Sequence, residues 1–144
     1  MVEVNFYDHV EDERLKFAVI LAKTEGKWVF CRHRERDTYE MPGGHREAGE
    51  DILTTARREL REETGAVEFT IKPICVYSVK GTAREQEGPD SETFGMLFAA
   101  DITSFAALHS EIEEILMTDR PVDHWTYPQI QPKLLDEANR RGCL

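Results

Sequence analysis

GHREAGEDILTTARRELREETGA, residues 44–66, decides how this chain is read. It follows a turn signal at Pro42-Gly43-Gly44 and places Glu59, Glu62 and Glu63 within five positions of one expected helix. Residues three and four apart share a helix face, so these carboxylates repel one another. A helix built only for stability avoids such an arrangement. A hard divalent cation such as Mg²⁺ removes the conflict, because it takes carboxylate oxygens and retains water. The helix is expected to start near Asp51, with Glu50 and Asp51 at its positive end and Gly65 as the stop. At about 100° per residue, Leu53, Ala56 and Leu60 form the expected apolar stripe. Glu59 and Glu63 fall on one border of it and Glu62 somewhat further round, while Arg57 and Arg61 project to the other side. The acids therefore stand at the lip between core and solvent.

Outward from this helix, residues 15–22 (LKFAVILA) read as a buried strand and 24–27 as a turn around Gly26. Residues 28–34 read as a second strand, with Trp28, Phe30, Arg32 and Arg34 on one face and Val29, Cys31 and His33 on the other. After the helix, residues 67–79 contain strand-like runs interrupted at Pro73, and 93–102 form another strand candidate. The polar stretch 80–92 reads as a long loop. Residues 113–118 add a possible strand, and 128–141 a closing helix whose first turn is marked by Pro132. Strands before and after one helix, with a second helix at the end, predict a mixed sheet between helices, α/β or α+β in class.

The chain's 144 residues suit one domain, 1–144, with an ordinary hydrophobic fraction of 40%. A net charge of −10 argues against broad binding to long nucleic acid or anionic membrane. Three cysteines, Cys31, Cys75 and Cys143, lack metal-ligand spacing and suit a reducing compartment. The start lacks a secretory signal pattern, and the longest apolar run, 17–22, is too short to span a bilayer. These features predict a soluble cytoplasmic protein. Arg32, His33, Arg34 and Arg36 make a local basic cluster upstream of the turn, suited either to terminal phosphates or to a solvated hairpin. Trp125 and Tyr127 can stack on a base or serve core and lid. The five histidines lack ligand spacing, and none is assigned to metal.

Residues 44–66 resemble the Nudix box. Gly44, Glu50, Arg58, Glu59, Leu60, Glu62, Glu63 and Gly65 fill their places, and only Ala66 departs, standing where a larger aliphatic is usual. The resemblance implies an α/β/α sandwich with a mixed sheet and the box as loop, helix and loop. It implies a Mg²⁺- or Mn²⁺-dependent pyrophosphohydrolase acting on a nucleoside diphosphate linked to another group. Carried onto this sequence, the metal ligands are Glu59, Glu62, Glu63 and the Gly43 carbonyl, and Glu59, Glu62 and Arg58 carry catalysis. Arg58 orients the helix and can also pair with Glu62, four residues on. Gly44, Glu50 and Gly65 shape the box, Glu50 tying the loop to the helix start. The general base is Glu59 or a later glutamate, Glu111, Glu113 or Glu114. Arg32 and Arg34 are the phosphate-binding candidates. The family marks for ADP-ribose and dinucleotide polyphosphates are missing after the box, which leaves a nucleoside triphosphate, ordinary or oxidised, as the expected substrate. The alternatives are RNA 5′ ends, a dinucleotide polyphosphate, or a nucleotide-sensing module without catalysis. A homodimer is compatible with the family.

Overall fold

The computed structural model describes residues 2–81, 92–106 and 112–143. Seven strands and two α-helices follow one another along these residues, four strands before the first helix and three between the two. The strands are β1 (Val2–Tyr7), β2 (Leu15–Thr24), β3 (Lys27–His33), β4 (Gly43–His45), β5 (Ala66–Gly81), β6 (Glu92–Phe105) and β7 (Ile112–Thr118); the helices are α1 (Ile52–Thr64) and α2 (Gln131–Arg140). The strands join in the order β1-β5-β6-β2-β3-β7, with β4 paired to β2. Only β2 and β6 run parallel; every other pair is antiparallel, so the sheet is mixed. Among the described residues no helix is long and apolar enough to cross a membrane.

The period of two along β2 assigns one helix to each face. Ala18, Ile20 and Ala22 join Ile52, Ala56 and Leu60 of α1 in one core, with Val29, Val76, Phe98 and Ile102. Leu21 points the other way and joins Leu134 and Ala138 of α2, with Phe30, Tyr77 and Leu97. Alternate side chains leave a strand on opposite sides, so α1 and α2 cover opposite faces. The expected α/β/α sandwich is the observed one.

Several elements differ from the sequence reading in instructive ways. Pro42-Gly43-Gly44 is more than a turn: Gly43–His45 pairs with Phe17, Ala18 and Val19 as a short strand. A three-residue strand carries no periodicity to recognise. Leu53 is exposed, and Ile52 takes the buried place expected of it, beside Ala56 and Leu60. Asp51 is indeed the N-cap, its Oδ1 accepting the Thr54 N–H at 2.8 Å, but the buried arc is turned so that Ile52 faces the sheet. Pro73 does not end a strand; β5 is continuous, with a register shift between Pro73 and Cys75 that accommodates the missing N–H. Arg57 and Arg61, expected only to project to the side opposite the acids, place both guanidinium groups over the Phe69 ring. Of the expected loop at 80–92, Lys80 and Glu92 pair across β5 and β6, and residues 82–91 lie outside the described residues. Strand β1 was not anticipated, although Val2, Val4 and Phe6 alternate with polar neighbours; its six residues pair with the last part of β5.

Two turns position the site. Gly65 closes α1 at φ 77°, a left-handed conformation that a side chain disfavours, and its N–H donates to the Arg61 carbonyl. On the other face, Gln131 at the start of α2 reaches under the sheet, and its Oε1 accepts the Met41 N–H at 2.7 Å. The segment leading into β4 is thereby held from below by α2 and from above by α1.

Candidate active site

Strand β2 is paired at one edge by two different segments. Ala22, Lys23 and Thr24 face β3, whereas Phe17, Ala18 and Val19 face β4. Between these pairings, Glu40 exchanges backbone hydrogen bonds with Cys31 of β3 and Pro42 accepts from the Ile20 N–H. The stretch 39–45 is therefore wedged between β2 and β3, and the acidic face of α1 lies over the wedge.

Glu63 is the best buried of the three box acids, at 9% exposure. Its Oε1 accepts the Gly43 N–H at 2.8 Å, with the Cys31 thiol at 3.9 Å, and its Oε2 lies 3.3 Å from His33 Nε2. Burial, reinforced by the charges of Glu59, Glu40 and Glu62, pushes its carboxyl up to about 8 despite the Gly43 hydrogen bond. Glu59 is partly buried, and burial raises its pKa too, against the pull of Arg58. Its carboxylate packs on the α-carbon of Gly44, where an added Cβ would stand 2.0 Å from Oε2. Glycine at this position is thus a packing requirement. Glu62 is half-exposed and turned to solvent.

Arg58 organises these acids. Its Nε and Nη2 grip both oxygens of Glu50 at 2.6 and 3.1 Å, and Nη2 also donates to the His45 carbonyl at 3.0 Å. Its Nη1 serves Glu59 and, at 3.2 Å, Glu62. The expected i,i+4 pair with Glu62 exists, but the forked bond to Glu50 is the stronger geometry. Hydrogen bonding to Arg58 holds the Glu50 carboxyl down at about 2. Glu50 also accepts from the Glu47 N–H and the Thr55 hydroxyl, so it ties the loop to the helix as expected.

The structure brings to the acids two residues that the sequence did not place with them: Glu40, given no role, and His33, read only as part of the basic cluster and not as a metal ligand. Glu40, 6% exposed, and His33 approach Glu63 so that one donor atom from each lies within 4.8 Å of the others. Their sequence signals are slight: Glu40 adjoins Met41-Pro42-Gly43, and His33 belongs to the basic cluster. Burial raises the pKa of Glu40, opposed by His33 and Arg36. The Cys31 thiol is pushed well up by the same burial and neighbouring acids, so it stays protonated. Arg32 and Arg34 behave differently from the acids: Arg32 donates to the Arg36 carbonyl at 2.9 Å, and Arg34 is exposed beyond the end of β3. Neither lines the cavity described next, whereas Arg36 reaches Glu40 at 3.3 Å and lies over the Tyr127 ring. Of the later base candidates, Glu113 and Glu114 lie on β7, with Glu114 registered opposite Arg32; Glu111 lies outside the described residues.

A cavity of about 460 Å³ adjoins Gly43, Gly44 and Glu40, with walls that include Phe17, Tyr77 and Tyr127. Tyr127 is 41% exposed at its mouth, while Trp125 packs edge-on against Phe30 in the core. A larger, shallow depression of about 750 Å³ runs along the box loop past Arg46, Glu47 and Glu50, but polar groups line it and it offers no aromatic wall. Chemically, the carboxylates suit a divalent cation: they are oxygen donors, crowded, and protonated or strained without one.

The NUDIX domain family matches residues 12–136. This chain belongs to the Nudix hydrolase family. Among relatives of this Nudix protein, YtkD of Bacillus subtilis strain 168, named for 8-oxo-dGTP diphosphatase activity, is 35% identical over 80 residues, 56% of this chain and 50% of YtkD. An RNA pyrophosphohydrolase of Caulobacter vibrioides is 41% identical over 61 residues, 40% of this chain and 35% of its own. The aligned part thus spans about half of one relative and a third of the other. The crystal structure of the Bacillus subtilis pyrophosphohydrolase BsRppH superimposes with a TM-score of 0.76 at 22% identity, covering 98% of this chain and 91% of that one. That likeness establishes the shared fold.

Proposed function

We propose that this Nudix protein hydrolyses a phosphoanhydride bond in a nucleoside triphosphate, ordinary or oxidised, giving a monophosphate and pyrophosphate. The observation that carries this reading is the contact between the acidic cluster and the aromatic cavity across Gly43 and Gly44. A base between Phe17 and Tyr127 leaves its phosphates directed toward α1. Mg²⁺ or Mn²⁺, held by Glu59, Glu62, Glu63 and the Gly43 carbonyl, supplies charge neutralisation and Lewis acidity at the phosphate oxygens.

The chain's own residues do the rest. Glu59 takes the proton of the attacking water on Oε2, the oxygen against Gly44, while Arg58 fixes Oε1. Glu62 is half-exposed and open to solvent. Arg58 and Glu50 keep α1 in register with the loop, and of the basic cluster Arg36, beside Glu40 and over Tyr127, is the cation offered to the outer phosphates in place of the expected Arg32 and Arg34. The fold acts as one domain, in the cytoplasm, where its three free thiols stay reduced.

The similarity to the Caulobacter relative supports a second substrate, the triphosphorylated 5′ end of RNA. The −10 charge opposes tracking along a long RNA but leaves one terminal nucleotide open to recognition. A Mg²⁺-dependent hydrolysis panel separates the readings: ordinary and oxidised nucleoside triphosphates, triphosphorylated RNA, ADP-ribose and diadenosine polyphosphates, with Glu59→Gln as control. Pyrophosphate release from a free triphosphate, abolished in the variant, is expected. Faster cleavage of RNA ends or dinucleotides overturns the substrate assignment. Nucleotide binding without any turnover overturns the catalytic one in favour of a sensor.

A further inference from the structure

Glu63 turns only one oxygen toward Gly43; the other faces His33. His33 Nε2 lies 3.3 Å from Glu63 Oε2 and 3.8 Å from Glu40 Oε1. Ligand atoms bound about 2.1 Å from one cation keep roughly 3–3.4 Å between them, so these separations need little adjustment. The three residues come from three places in the fold, namely β3, the segment before β4, and α1. Both glutamates are buried residues, their side chains 8% and 12% exposed, unlike a surface acid patch. Arg36 Nη1 lies 3.3 Å from the same Glu40 oxygen, Oε1, and offsets part of its charge, and the Cys31 thiol stands on the other oxygen of Glu63.

We propose that His33, Glu40 and Glu63 form a metal position of their own, one that takes a first-row transition cation such as Mn²⁺, Co²⁺ or Zn²⁺ in preference to Mg²⁺. The selectivity follows from the donor set. Mg²⁺ favours six oxygens and retains its waters, whereas an imidazole nitrogen among two carboxylates suits the transition cations. Two carboxylates balance the divalent charge. Bound there, it cross-links β3, the wedge and α1, and fixes the orientation of Glu63 toward Gly43. This position shares Glu63 with the catalytic reading above, yet it stands or falls separately.

The test titrates metal-free protein with CoCl₂, following the visible d–d absorption, then challenges the complex with MgCl₂. One equivalent of Co²⁺ is expected to survive a roughly hundredfold excess of Mg²⁺. His33→Ala and Glu40→Gln should each weaken Co²⁺ binding by about tenfold or more, while Glu59→Gln retains the band. Displacement by equimolar Mg²⁺, or unchanged Co²⁺ affinity in His33→Ala, overturns the proposal. A second readout avoids variants: substoichiometric Mn²⁺ should broaden the His33 imidazole resonances of the wild-type protein before those of the other histidines. If His45 or His124 broadens first, the assignment is wrong. Hydrolysis lost in Glu59→Gln with no nitrogen-ligated Co²⁺ would sink this site and leave the catalytic reading standing.

Discussion

Replacing Glu63 with Gln should make the metal-free protein more stable while removing its activity. The side chain is nearly isosteric, and Gln can still accept the Gly43 N–H and donate toward Glu40. What it loses is a carboxyl held at about 8 in the folded chain against an ordinary 4.5. A raised acid favours the folded state while protonated, so its contribution is fully present below pH 4.5 and drains away as pH rises toward 8. At pH 7, some 2.5 powers of ten in proton affinity have been lost, at about 1.4 kcal/mol each. Glu63 therefore costs the wild-type fold about 3 kcal/mol at neutral pH, a cost that Gln does not carry. Urea unfolding in EDTA should show Glu63→Gln more stable near pH 7 and equal to wild type near pH 4. Saturating Mg²⁺ should narrow the gap by stabilising only the wild type. A variant less stable than wild type at neutral pH without metal, or a gap that does not vary with pH, would refute the burial argument.

Gly44→Ala places a methyl group 2.0 Å from Glu59 Oε2, where ordinary contact begins near 3.4 Å, so the carboxylate must retreat by more than 1 Å. Turnover should fall about a hundredfold with little change in melting temperature, because the displaced group is the end of a flexible side chain. Arg58→Lys loses the fork that grips Glu50 and cannot serve Glu59 and Glu62 together; kcat should drop about tenfold or more, with KM for nucleotide moving less. Glu137 accepts from Arg140 and Arg141, which hold its carboxyl at about 2, so its support is present above pH 4.5 and lost as pH falls through about 2. Glu137→Gln should cost roughly 1 kcal/mol at neutral pH, discounted because Arg140 is exposed, and nothing near pH 2 in acid titrations of folding. Gly65→Ala forces a Cβ into the left-handed region at φ 77° and should cost about 1 kcal/mol in urea unfolding.

The helix and its acids were legible because they obey one local rule. Asp51 caps, Gly65 stops, and Glu59, Glu62 and Glu63 fall where a 3.6-residue period puts them. The long strands β2, β3 and β6 were legible for a similar reason, through apolar runs bounded by turns. The short pieces were not. Gly43–His45 is a strand only because β2 has an edge to offer it, and nothing within three residues records that. His33 and Glu40 escaped notice for a related cause: they are seven residues apart on separate elements, and only the register of β3 against the wedge brings them to Glu63. Leu53 misled because a stripe of three positions does not determine which neighbour faces inward, and the packing of Ala56 and Leu60 on β2 selected Ile52.

The wedge of residues 39–45 between β2 and β3 has a consequence for how the site weathers change. Its registration comes from main-chain hydrogen bonds, at Cys31 with Glu40, at Ile20 with Pro42 and along Phe17–Val19. Side-chain variation nearby leaves those bonds intact, and lengthening the exposed turn at 34–37 is absorbed before Tyr39, where the wedge begins. Base preference and phosphate reach can therefore drift at the rim while the acids stay in place. The seam in the sheet works as a fixed jaw, against which a lineage can try new substrates without rebuilding its chemistry.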